Sequence, residues 1–472
     1  MKKIIIITLI ILSFFVWRIS AHATTFTEDP FGIAYGAVYR GQIFMQYIHD
    51  IGVHITKVSF SWRDLEPKEG VYDWHLVDAY LNQIGPEDRV LLNLFTTGPC
   101  TTNEEALKGS PLKNEYCKKR YKNFVQALVK HTNGKITFWQ RDTEPASPLH
   151  WPKEKAKEYV ETQRLFYEAV KSVQPNAIVL GVNHNGNFYK NGKPMSTSFF
   201  LYFLKHGKDY FDALDIRLYG NKYDIPYRVE WFKKAMERYG YEKPIMSTEF
   251  GGPDPRTLSG NLFFNLIKTI QKSYGGKKER RNIWPWIKKH YKELNPKLKI
   301  FFAMPGTKEA KIHADIHCHD IIQRHMITLA SGVKATWWWN LQSPGRDPIF
   351  GGMRLMDRSL TQKFPGYFCF KQMVEKLKGI KSIRKISLSN NNIYLYKINK
   401  ENGDVLYVAW YHKKGLDPYD SYMEPPIKVK LTLPFKKTKI TYVNGKEEIK
   451  NTENKIIILT LSDTPVYIEE SK

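Results

Sequence analysis

Eight short apolar runs recur between residues 31 and 339, and stretches with helical spacing separate them. The runs are FGIAYG (31–36), ITKVSFSW (55–62), RVLLNLF (89–95), ITFWQ (136–140), AIVLGVN (177–183), DALDIRLY (212–219), KPIMSTEF (243–250) and VKATWWW (333–339). Between them lie amphipathic segments such as KEKAKEYVETQRLFYEAVKSV (153–173) and RVEWFKKAMERYG (228–240). A strand covered on both faces reads as a nearly continuous apolar run, and helices of this kind are what cover it. Eight alternations predict an α/β fold, a (β/α)8 barrel with its helices outside. A doubly wound sheet is the alternative, but no G-x-G-x-x-G turn follows the first run.

Near Ile383 the pattern changes to short alternating strands: NIYLYKI, DVLYVAWYH, IKVKLTL, TKITYV, IIILTL and PVYIEE. Turn formers separate them, Asn444-Gly445 among them. The expected division is a leader over 1–23, a barrel over 24–382 and a small β-sandwich domain over 383–472. One connection is too long for a barrel: residues 253–320, between the seventh and eighth runs. Its core, 277–299, holds nine Lys/Arg against two Glu, interleaved with Trp284, Trp286 and Tyr291. This is either a solvated helical hairpin or a lid over the barrel mouth. In the second case Lys277, Lys278, Arg280 and Arg281 would meet an acidic polymer.

The first residues, MKKIIIITLIILSFFVWRISAHATT, have the form of a secretory signal: two lysines, an apolar run over 4–17 and a small-x-small site at Ala21-His22-Ala23. The run is shorter than a spanning helix needs, which leaves an uncleaved anchor as the lesser alternative, and no later stretch could span a membrane. Export permits disulfides. Cys100 and Cys117 bracket one polar loop and are the expected pair, while Cys318 and Cys369 are too far apart in sequence to assign. The formal net charge of +25 suits an anionic partner or a lysine-rich proteome. No nucleic-acid-binding signature accompanies it.

Catalytic groups of a barrel stand at strand C-termini. Only the fourth and seventh runs lead into glutamates there, Glu144 and Glu249. These strands lie across the mouth from each other, so the two side chains can converge. Two facing carboxylates are the minimum equipment for breaking a glycosidic bond, one as proton donor and one as nucleophile. No cofactor is then required.

At this point the chain resembles the clan of retaining glycoside hydrolases that carry an acid/base on strand four and a nucleophile on strand seven. The matching residues are Trp139 with Glu144-Pro145, Lys243-Pro244 with Thr248-Glu249-Phe250-Gly251, and the segment WRDLEPKEGVYDWHLVD (62–78). By the resemblance Tyr219 would hydrogen-bond the nucleophile and Trp338 would stack on a sugar. Two positions depart from the pattern. Thr143 stands where the clan has an Asn that binds the sugar 2-hydroxyl, and Arg217 where it often has His. Arg217 suits a carboxylate or phosphate on the substrate, or equally a pair with Glu249 or Asp215. The expected activity is that of an exported retaining β-glycosidase on a polysaccharide, with an acidic envelope or extracellular polymer among the options. Two rival functions are a carbohydrate-binding barrel without turnover and a metal hydrolase using His313, His317 and His319. The second lacks an assignable third ligand, and a solvated helix start fits that histidine segment better.

Overall fold

The computed structural model describes residues 29–98, 100, 112, 114–146, 151–184, 189–190, 193–194, 197–276, 283–342 and 347–471. Eight parallel strands close into a barrel in chain order: β1 (Phe31–Val38), β2 (Ile55–Ser61), β3 (Arg89–Phe95), β4 (Phe138–Arg141), β5 (Ile178–His184), β6 (Ala213–Ile216), β7 (Ile245–Phe250) and β8 (Thr336–Trp339). Strand β1 pairs with both β2 and β8, which excludes the doubly wound alternative. Each strand falls within or against one of the eight apolar runs.

Strand periodicity sorts the barrel interior into layers. Ile55, Leu91, Phe138, Leu180, Ala213, Met246 and Trp337 point inward and pack as one cluster. Two residues further along β2, β3, β4, β6 and β7, the same faces carry Lys57, Asn93, Gln140, Asp215 and Thr248, all buried. The interior therefore changes from apolar to polar toward the strand C-termini. Residues of opposite phase, such as Val58, Leu92 and Trp139, face the surrounding helices and belong to the large outer core.

The longest helix, Lys308–Ala330, starts at Thr307, whose hydroxyl accepts the Ala310 N–H at 3.2 Å. From Ile316 to Leu329 it is buried on every side, polar residues included. The expected solvated start for the histidine segment is thus corrected: His317 and His319 are buried, because the helix is packed between the barrel, the helix Pro365–Leu377 and the C-terminal domain.

The C-terminal strands are β9 (Ile380–Ile386), β10 (Ile393–Lys400), β11 (Val405–Tyr411), β12 (Ile427–Thr432), β13 (Lys437–Tyr442), β14 (Glu447–Asn451), β15 (Ile456–Leu461) and β16 (Val466–Glu470). Six form an antiparallel sheet in the order β9-β10-β11-β16-β13-β14, and β12 pairs with β15. One face of the larger sheet, with Tyr396, Ile398, Val408 and Trp410, joins the barrel's outer core. The other face packs with the β12–β15 pair around Leu395, Leu431, Ile440 and Leu459.

The long connection after β7 folds into helices Leu262–Ser273, Ile283–Lys289 and Pro296–Phe301, with their own core around Phe263, Leu266, Ile287 and Leu298. Tyr419 of the C-terminal domain completes that core. Lys297 Nζ reaches Asp417 at 2.7 Å and Asp420 at 2.5 Å. This unit is anchored rather than a free hairpin. Lys277, Lys278, Arg280 and Arg281 lie outside the described residues, as does the leader segment. No helix among the described residues is long and apolar enough to cross a membrane.

Candidate active site

Strand β4 ends in two charges that serve the fold. Asp142 accepts hydrogen bonds from the Thr96 amide at 2.7 Å, the Thr96 hydroxyl at 2.6 Å and the Trp151 indole at 3.1 Å. Arg141 pairs with Asp142, donates to Gln163 and the Tyr159 carbonyl, and lies over the Tyr159 ring at 4.0 Å. With each guanidinium nitrogen bonded, this buried pair locks the turn that follows the strand. In that turn Asp142, Glu144 and Ala146 have φ of 53°, 47° and 63°. Left-handed backbone at three non-glycine residues is strained, and here it sets the direction of Glu144.

Glu144 is 30% exposed, whereas Glu249 at the end of β7 is 6% exposed. Arg217, one residue past β6, bridges them. Its Nη1 lies 2.7 Å from Glu144 Oε1 and its Nη2 2.5 Å from Glu249 Oε1. A guanidinium is rigid and planar, so those two oxygens lie at most roughly 7.5 Å apart. Arg217 Nη2 also donates to the Thr143 hydroxyl. Glu249 has two further partners: Lys57 Nζ at 3.0 Å from Oε1, and the Tyr219 hydroxyl, which donates to Oε2 at 3.4 Å.

A second ring of contacts fixes Lys57. It donates to the Thr248 hydroxyl at 3.0 Å, and that hydroxyl donates to Asp215 at 2.7 Å. Asp215 also accepts from the Thr248 amide at 2.7 Å and the Gln140 amide at 2.6 Å. Burial pushes the Lys57 ammonium below its usual pKa and the Asp215 carboxyl above its own; their mutual attraction works against both shifts, and the charge of Glu249 works against that of Lys57. Burial also opposes the Arg217 charge, but Glu249 and Glu144 outweigh it, and its pKa stays above the ordinary value. Burial, then the charge of Glu249, pushes Tyr219 well above the usual phenol range, so its hydroxyl remains a donor.

Trp338 stands elsewhere than the sugar platform expected of it. It is wholly buried, stacked on His325, edge-on to Phe250 and bonded through its indole to the Met353 carbonyl at 2.9 Å. The strand's period of two explains this: in TWWW the middle tryptophan faces the helices, while Trp337 and Trp339 face the barrel. Trp339 is half-buried at the mouth, 6.1 Å from the Phe350 ring, and Phe350 lies 5.1 Å from Tyr219.

The histidine segment is no metal centre in this arrangement. His317 packs on Trp338 at 5.8 Å, His319 faces Asp463 at 3.7 Å, and Asp320 pairs with Arg324 at 2.7 Å. Among the described residues no group of three metal-ligating side chains forms there. The cysteines form two disulfides, Cys100–Cys117 and Cys318–Cys369.

Lys57, Gln140 and Trp339 escaped the sequence reading, in which Asp215 appears only as a partner for Arg217 and Thr248 only as part of the strand-seven motif. Their signal was present: a lysine in the middle of an apolar strand, in phase with polar residues at equivalent heights on other strands.

No protein-family model matches the chain, and no curated protein sequence does. Solved structures match by shape. A family 39 glycoside hydrolase from the gut symbiont Bacteroides cellulosilyticus WH2 aligns with a TM-score of 0.61 at 15% identity, covering 94% of this chain and 81% of its own. A monomeric beta-xylosidase from Caulobacter crescentus CB15 gives 0.55 at 14% identity, covering 94% and 97%. The catalytic domain of xylanase C from Talaromyces cellulolyticus gives 0.56 at 10% identity, covering 94% and 97%. At these identities the likeness is one of fold: a closed (β/α)8 barrel followed by antiparallel β sheets.

Proposed function

We propose that this chain is an exported retaining β-glycosidase that hydrolyses a polysaccharide by double displacement. The observation that carries the proposal is the bridging of Glu144 and Glu249 by one guanidinium at the barrel mouth. It keeps the two carboxylates within the reach that a two-carboxylate mechanism needs. Glu249 attacks the anomeric carbon while Glu144 gives its proton to the departing oxygen. A glycosyl ester on Glu249 results. Glu144 then takes a proton from water, and the water attacks the same carbon and frees Glu249. Lys57 and Arg217 both engage Glu249 Oε1, so Oε2, beside Tyr219, is the oxygen left to attack.

The Thr143–Arg217 contact supports a finer reading. The two departures from the clan pattern touch each other, so the guanidinium would face the sugar where an Asn amide is usual. That favours a glycan carrying carboxylate, phosphate or sulfate, in line with the +25 charge. Export is supported by the leader-like N-terminus and by cysteines that are all paired among the described residues. Trp339 and Phe350 would supply the apolar wall against a sugar face.

The test uses a panel of aryl β-glycosides and acidic polysaccharides. Glu249→Ala should lose at least about 10³-fold in kcat, with azide restoring turnover as an inverted glycosyl azide. Glu144→Gln should spare only the first step on substrates with good leaving groups. If the wild type binds a glycan but turns it over no faster than a variant carrying both Glu144→Gln and Glu249→Ala, the chain is a carbohydrate-binding barrel.

A further inference from the structure

At the end of the barrel opposite Glu144 and Glu249, three side chains converge that the glycosidase reading does not use. His49 lies in the helix Met45–Ile51, His54 immediately precedes β2, and Asp88 immediately precedes β3. The Asp88 carboxylate is 1% exposed. Its Oδ1 stands 2.8 Å from His49 Nε2 and 3.1 Å from His54 Nδ1, and its Oδ2 accepts the Gly85 N–H at 2.7 Å. The imidazole centroids are 5.2 Å apart, and the three ligand atoms all lie within 4.8 Å of one another.

A buried carboxylate oxygen can accept two imidazole N–H groups, and that alone would hold the cluster. The geometry also matches a cation. Around zinc, with bonds of about 2.0–2.1 Å, neighbouring tetrahedral ligands stand roughly 3.3 Å apart. The two carboxylate–imidazole edges need only open by a few tenths of an ångström, and the third, between the two ring nitrogens, lies within 4.8 Å. The imidazoles are 38% and 40% exposed, which leaves one side open to water as a fourth ligand. Support from the next layer is in place as well: Gly85 fixes the outer oxygen of Asp88, and Glu87 stands 4.0 Å from His54 Nε2, where it can polarise the ring. Two imidazoles and one carboxylate suit a divalent ion of the zinc class rather than magnesium or calcium.

We infer that His49, His54 and Asp88 form a zinc-class site that ties a helix to the entrances of β2 and β3. Its place on the N-terminal face of the barrel assigns it to stability and not to catalysis. The test is zinc uptake by the chelator-stripped full chain, measured by equilibrium dialysis and metal analysis. At about 10 µM free zinc the wild type should bind close to one ion per chain, with the thermal midpoint raised by several degrees. His49→Gln should weaken binding at least about tenfold, and the His49→Gln, His54→Gln pair should abolish both uptake and shift. Because both rings are more than a third exposed, these variants should fold, which circular dichroism checks. His290→Gln, in the post-β7 insertion, should change nothing. Uptake below about 0.2 ion per chain by the wild type, or wild-type uptake by the double variant, would overturn the site.

Discussion

Arg217 is where the chemistry of this chain departs most from the pattern it resembles. A histidine there could touch one carboxylate, whereas the guanidinium spans both and also takes the Thr143 hydroxyl. Lysine keeps the charge but cannot span the pair. Arg217→Lys should therefore lower kcat/KM by about 10²-fold, some 2.7 kcal/mol, and lower it more for acidic than for neutral glycans. An equal loss on both substrate types would remove the guanidinium from substrate recognition. Lys57 differs in kind. It is buried against Glu249 and connected to Asp215 through Thr248, so it acts by holding the Glu249 carboxylate in place. At this scale the sequence was legible where residue type and strand position together locate a side chain: Glu144 and Glu249 meet at one guanidinium. It was less so where phase decides. Trp338 and Trp339 are indistinguishable by type, and only counting along β8 from the inward-facing Trp337 separates a core side chain from one at the mouth.

Among the elements, the eight strands were legible because each is covered on both faces and so reads as a largely apolar run. The helix Lys308–Ala330 was not, since its buried length carries His317, Arg324 and His325 instead of an amphipathic stripe. The guanidinium of Arg324 bonds Asp320 in its own helix and the carbonyls of Leu218 and Gly220, while the His317 and His325 rings are held among aromatic side chains. Burial pushes His317 and His325 down from 6.5 to about 3. The unfolded chain takes up these protons near pH 6.5 while the folded chain refuses them until far lower. Stability is thus lost as pH falls from 6.5 toward 3 and is unaffected above that window. His325→Phe should be tolerated among Phe31, Phe250, Trp338 and Phe370, and it should flatten the acid limb by one proton's slope. Urea titrations at pH 7 and pH 4.5 measure this. An unchanged slope would mean that His325 already titrates in the folded chain.

For the molecule as a whole, the sheet after the barrel and the insertion after β7 belong to one packing scheme. The larger sheet shares the barrel's outer core, Tyr419 completes the core of the insertion, and Lys297 bonds Asp417 and Asp420. That anchoring was illegible in sequence, because the partners lie more than a hundred residues apart and each side reads as an ordinary charged surface. A mouth held from several sides suits the proposed double displacement, in which two carboxylates keep their spacing through two chemical steps. The claim at the centre of the account is that Glu249 becomes covalently glycosylated. Trapping with a panel of activated 2-deoxy-2-fluoro glycosides, followed by proteolysis and mass spectrometry, tests it directly. The account predicts one sugar per chain, attached to Glu249, and no adduct on Glu249→Ala. A sugar attached to any other residue, or turnover with inversion and no adduct, would contradict it.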